Sequence, residues 1–231
     1  IEKGYCVKAL VRNAEKLAPY RDKITIVEGD ATDPDAVGNL IENSDVVLST
    51  IGSRSKDALV VTSAARALVE AIKSSEGNKS PPRVVWMTTV GVNEAIDQGH
   101  KYGCTANFLP SCSCCCGYGL MGCLVFKCLV PHLIGQNLWD DMGTSEDVLR
   151  DHQDILEGTV IVRPTNMWPV SEHATFSDEW RKEGGENVFV FKKADEPPPN
   201  IWVSRRAIAA GLLSLVSDKS FDGTAISLFQ G

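Results

Sequence analysis

No basic stripe runs through this chain: its 23 Lys and Arg are outnumbered by 30 Asp and Glu, a formal net charge of -7 over 231 residues. That balance argues against nucleic acid or an anionic membrane surface as a partner, because both are held by clustered positive charge. No internal repeat is present. The opening Ile1-Glu-Lys-Gly4 is neither a start methionine nor a secretory leader, so a beginning upstream of Ile1 is expected. Cysteine is abundant but not spread: of eight, seven lie between Cys104 and Cys128 and the other is Cys6. A secreted disulfide scaffold distributes its cysteines, so a reducing intracellular compartment, cytoplasm or organelle matrix, is expected. One uncharged run, Thr105 to Phe126, is long enough to cross a bilayer. It is broken by Asn107, Pro110, two serines and three glycines and followed by Lys127 and His132, so it reads as an irregular loop leading into a buried helix over 121–134.

What is present is an ordinary globular composition, 43% hydrophobic and 23% charged, enough for one sizeable core. Short β-branched runs alternate with helix-like segments. The runs are Tyr5-Cys-Val-Lys-Ala-Leu-Val11, Ile24-Thr-Ile-Val27, Asp45-Val-Val-Leu-Ser-Thr50, Arg83-Val-Val-Trp-Met-Thr88 and Thr159-Val-Ile-Val-Arg163. Thr32-Asp33-Pro34 is a helix start that should run to about Glu42, with a capping side chain and Pro in the first turn. Residues 58–74 place Leu59, Val60, Ala64, Ala67, Leu68, Ala71 and Ile72 at helical spacing. Residues 137–156 are mostly polar, with a helix expected only around 146–150. This alternation predicts an α/β fold, a doubly wound and mostly parallel Rossmann-type sheet covered by helices on both faces. Residues 1–164 form that domain, with 95–135 a cysteine-rich insertion. Residues 165–231 add a small C-terminal lobe, a helix capped by Ser204 and a closing strand over 223–229, all in the same globular unit. Trp168, Trp180 and Trp202 are candidates to line an apolar substrate pocket there.

In such a sheet, ligands bind at the carboxyl ends of the strands. Those ends are Arg12-Asn13, Gly29-Asp30-Ala31, Thr50-Ile51-Gly52, Thr88-Thr89-Val90-Gly91 and Arg163-Pro164. With Glu28-Gly-Asp-Ala-Thr-Asp33, Ser145-Glu-Asp-Val-Leu-Arg150, Val160-Ile-Val-Arg-Pro164 and Val203-Ser-Arg-Arg-Ala-Ile-Ala209, the series resembles the atypical short-chain dehydrogenase/reductases of the NmrA-like, NAD(P)H-binding branch. The resemblance covers nearly the whole chain except about 95–123. It implies a cofactor site made of Arg12, Asp30, Ala31, Thr50, Ile51, Gly52, Thr88, Thr89 and Pro164. A basic residue after the family's second strand pairs with a 2′-phosphate, so Arg12 implies NADP over NAD; a solvated surface arginine is the alternative. Asp30 would accept from an adenine amino group beside Ala31, or serve only as a carboxylate at a helix start. Gly52 would admit the cofactor or merely make a turn. Thr88 and Thr89 would offer hydroxyls near the nicotinamide or be only good strand formers.

Two departures accompany the resemblance. The family's glycine-rich phosphate loop and first strand match nothing here, since they lie upstream of the segment resembling Ile1-Glu-Lys-Gly4. A sheet without that strand has an empty central position with exposed apolar neighbours. The Tyr-x-x-x-Lys dyad is also absent: four residues past Tyr102 is Ala106, and four past Tyr118 is Gly122. Tyr118 and Lys127 remain as alternative proton donors, with no catalytic residue assigned. Cys112, Cys114, Cys115, Cys116, Cys123, Cys128 and His132 have ligand-like spacings, but the apolar residues between them argue against zinc, and no metal is expected. Three functions are compatible with these features. They are an NADP-dependent oxidoreductase of a small carbonyl or flavin-like substrate, an NADP-sensing regulator with a protein partner, and a structural subunit that kept the fold.

Overall fold

A computed structural model of the chain describes residues 3–52, 59–75, 80–89, 92, 136–164, 166–167, 189–193 and 202–230. In chain order the described elements begin with β1 (Lys8–Val11), a 3-10 helix (Ala14–Tyr20), β2 (Thr25–Glu28), α1 (Pro34–Ile41), β3 (Val46–Ser49), α2 (Val60–Ser74) and β4 (Arg83–Met87). After residues outside the description come α3 (Gln136–Arg150), β5 (Val160–Pro164), β6 (Asn166–Met167), β7 (Phe189–Lys193), β8 (Trp202–Val203), α4 (Arg205–Ser214) and β9 (Ala225–Gln230). The central sheet has the order β3-β4-β5-β9-β7; all its neighbours pair in parallel except the antiparallel β7–β9 edge. This is the mostly parallel α/β architecture the alternation predicts.

Helices cover both faces because the strands alternate. In β4, Val84 and Trp86 pack into one cluster with α1, α2 and Leu149 of α3. Val85, Val160 and Val162 pack into the other with Ala207, Ile208 and Leu212 of α4. Helix starts follow the local chemistry. The Asp33 side chain accepts from the Asp35 N–H with Pro34 in the first turn, and Ser204 accepts from the Ala207 N–H. At the end of α1, Asn43 takes φ +58°, a left-handed position that Asn tolerates.

β1 and β2 form a separate two-stranded parallel sheet. Among the described residues no strand pairing joins it to β3; α1 connects the two by packing on both β1 and α2. The described residues thus leave a break in pairing between the two sheets. Apolar side chains lie exposed on its borders, Val7 at 36% and Leu48 at 39%. β1 is also shorter than the expected 5–11 run, beginning at Lys8. Among the described residues β2 is its one paired strand, and the Thr25 N–H donates to the Val7 carbonyl just before the ladder begins.

The largest difference from expectation is α3. It spans fifteen residues, Gln136–Arg150, rather than one turn around 146–150. Its buried face is built from Asp141, Ser145, Glu146 and Leu149, which recur at helical spacing but are mostly polar. A search for apolar periodicity misses such a face. Of the segment expected as a small lobe, β7 forms the far edge of the central sheet and β6 pairs with β8. Trp168, Trp180 and the Trp202 side chain lie outside the described residues, as do the cysteine-rich stretch and the helix expected over 121–134.

Candidate functional site

Parallel pairing puts the carboxyl ends of β1 and β2 side by side, and those of β3, β4 and β5 likewise. Arg12 follows β1 and is exposed. Asp30 follows β2, and its Oδ1 accepts from both the Thr32 N–H and the Thr32 hydroxyl, each at 2.9 Å. The Thr32 N–H, then its hydroxyl, and then the positive charge of Arg12 hold the Asp30 carboxyl below the usual aspartate range. Arg12 and Asp30 therefore share one exposed corner, with the acidic group ionised. Gly29 before it is a packing position: a Cβ there would stand 2.7 Å from the Ala36 Cβ of α1.

Ala31 and Ile51 are half-buried and pack against the core on the α1–α2 face. Thr50 is exposed. Gly52 is exposed too, has no positive φ, and a Cβ there would meet no atom within 4 Å. Neither backbone conformation nor protein packing among the described residues calls for glycine at that point. Pro164 is buried at the end of β5, opposite Leu228 of β9.

The two threonines after β4 differ. Thr88 is buried, and its hydroxyl donates to Glu146 Oε1 at 2.6 Å. Thr89 is half-buried. Glu146 also receives Arg163, whose Nε donates to Oε1 at 3.0 Å and whose terminal nitrogen donates to Oε2 at 2.6 Å. Both partners are essentially inaccessible, at 0% and 1% side-chain exposure. Trp86, two residues before Thr88 on the same strand face, donates its indole N–H to Ser145 of α3. The ends of β4 and β5 are thus tied to α3 by a buried polar network. The sequence contained a signal for this: a charged residue continuing the apolar Val160-Ile-Val162 strand needs a buried partner.

A second buried carboxylate belongs to α3. Asp141 accepts from the Val61 and Thr62 N–H groups of α2 at 2.9 and 2.8 Å, and the Thr62 hydroxyl donates back to its carbonyl. Leu59 gives α2 no side-chain cap of its own, so α3 supplies one. Those amides are committed to a protein carboxylate, so they do not offer an anion site. A shallow depression lined by Arg66, Glu70, Lys73 and His152 lies along the C-terminal half of α2 and includes none of the strand-end residues. Among the described residues no helix is long and apolar enough to span a membrane.

Residues 1–108 match the family model described as NAD(P)H-binding. No curated protein matches the chain in sequence. In structure the chain is similar to ChuY, an anaerobillin reductase from Escherichia coli O157:H7, with a TM-score of 0.63 and 16% identity over 99% of this chain and 86% of that one. It is also similar to a putative epimerase from Bacteroides thetaiotaomicron, with a TM-score of 0.64 and 16% identity over 98% and 86% of the two chains. A short-chain dehydrogenase/reductase from Veillonella parvula in complex with NADP gives a TM-score of 0.58 and 14% identity over 96% and 81%. The chain shares the Rossmann-type α/β fold of these neighbours, and its first 108 residues match the NAD(P)H-binding model. Its solved neighbours include reductases and epimerases, at identities that carry the fold and not the activity.

Proposed function

We propose that the protein is an NADP-dependent oxidoreductase of the NmrA-like kind, acting on a small carbonyl or flavin-like substrate in a reducing intracellular compartment. The observation that carries the reading is the exposed corner of Arg12 and ionised Asp30, set at the ends of β1 and β2 within the segment that matches the NAD(P)H-binding family. In this reading Arg12 meets a 2′-phosphate, and Asp30 with Ala31 meets an adenine edge. Gly52 leaves open space at the end of β3. When bound, the cofactor supplies the hydride. The chain's residues orient it and exclude water at the ends of β4 and β5.

Calorimetric titration of the full-length protein with NADPH and NADH tests this. NADPH is expected to bind about ten- to a hundred-fold more tightly, the worth of one charge-assisted arginine–phosphate contact in a partly exposed cleft. Arg12→Ala should erase that preference and leave NADH binding nearly unchanged. Equal losses for both cofactors would mean that Arg12 supports the fold, and binding of neither would favour a structural subunit.

A second reading, an NADP sensor without turnover, is favoured by the side chains that α3 presents to β4 and β5. They are a carboxylate and an arginine-paired network, with no tyrosine–lysine dyad on that helix. NADPH binding without oxidation across a panel of flavins, quinones and aldehydes would select it.

A further inference from the structure

The two hydroxyls that follow β4 are not equivalent, and the buried carboxylate of α3 makes the difference. We infer that Glu146 is a positioning residue that acts through Thr88 on the nicotinamide half of the site, leaving Thr89 to meet the ring. This rests on the NADP reading above.

Three observations support it. The Thr88 proton is committed to Glu146 Oε1 at 2.6 Å, so Thr88 has no proton left to donate to a ligand. The same carboxylate takes two nitrogens of Arg163, so one group fixes the ends of two paired strands, β4 through Thr88 and β5 through Arg163. The Thr88 N–H also donates to the Val162 carbonyl at 2.9 Å, which keeps the strand extended to that point. Side-chain alternation carried one residue further turns Thr89 away from α3.

The chemistry of the network is informative in itself. An apolar trio of similar volume would hold α3, β4 and β5 together at least as well, because desolvating two charges consumes most of what their attraction returns. A guanidinium gripping both oxygens of a carboxylate, by contrast, accepts essentially one geometry. Such a pair sets direction at the strand ends, where a ring must be placed to within a fraction of an ångström.

The test separates the two halves of the cofactor. In the full-length protein, NADPH and 2′,5′-ADP, which carries only the adenosine half, are titrated by fluorescence against Thr88→Val, Glu146→Gln and Thr89→Val. Thr88→Val leaves Glu146 paired with Arg163 and keeps the side-chain shape, so it carries the test even if Glu146→Gln does not fold. The expected result for Thr88→Val is a loss of about tenfold in NADPH affinity, with 2′,5′-ADP unchanged to within about twofold. Thr89→Val should show the same split without lowering the melting temperature. Equal losses for both ligands, or none for either, overturn the inference and leave Glu146 a structural residue. Wild-type protein that binds neither ligand removes the NADP reading, and this inference falls with it.

Discussion

Two arginine–glutamate pairs in this protein have the same 2.6 Å separation and opposite surroundings. Arg21–Glu15 lies on the 3-10 helix beside β1, with side chains 53% and 76% exposed, whereas Arg163–Glu146 sits under the central sheet at 1% and 0%. The strands repeat the contrast. β1 and β2 contain no buried residue, while β5 is buried along its whole length. The residue types are similar in the two regions: Lys-Ala-Leu-Val in β1, Val-Ile-Val-Arg-Pro in β5. What differs is the number of neighbours: among the described residues β1 pairs with β2 alone, whereas β5 lies between β4 and β9 with helices on both faces. The same side chains stabilise the fold in proportion to the water they displace.

The largest effect should come from breaking the two ion pairs in parallel. Arg163→Met leaves Glu146 buried without its main partner and should cost about 3–5 kcal/mol, whereas Arg21→Met should cost no more than about 1 kcal/mol. Denaturant midpoints of the two variants measure both. Equal costs would erase the distinction between the regions.

Glycines sharpen the comparison at a smaller scale. Gly29→Ala pushes a methyl to 2.7 Å from the Ala36 Cβ, which moves only if the α1 backbone moves, so a loss of about 1–3 kcal/mol is expected. Gly211→Ala meets the Leu228 Cδ1 at 2.5 Å, a rotatable side-chain end. Alanine also favours the α4 helix by about 1 kcal/mol, so the net change there should be smaller. Thermal melts of both variants decide whether the poorly buried amino-terminal sheet nevertheless has the less forgiving joint.

The smallest effect is pH dependence at Asp30. Its folded pKa is depressed by the Thr32 N–H, the Thr32 hydroxyl and Arg12. The stability it contributes is therefore present above the unfolded value of about 3.9 and lost as pH falls through the lower folded value. Because the group is exposed, Asp30→Asn should lower stability only slightly at neutral pH, and its difference from the unsubstituted protein should fade below about pH 4. A stability difference that persisted undiminished in acid would contradict this assignment.

Much of the fold was legible because strand and helix periods differ. The central strands and α1, α2 and α4 all lie within a few residues of the apolar patterns and caps that mark them. α3 was not legible over its length, since Asp141, Ser145 and Glu146 give its buried face the composition of a surface. Of the candidate site, the positions at the strand ends followed from chain order alone. The difference between Thr88 and Thr89 did not, because adjacent identical residues are distinguished only by which face has a partner.

The sequence by itself determined that this chain makes a mostly parallel α/β sheet and which residues end its strands, because periodicity and capping are local and act within a few residues. Only the tertiary structure decided which polar groups are buried and what they hold. Glu146 meets Thr88 from 58 positions away, and Asp141 caps a helix 80 positions earlier in the chain. Such pairings arise when separate elements close over the same water-free space, where an unpaired charge or amide costs more than the hydrogen bond that satisfies it.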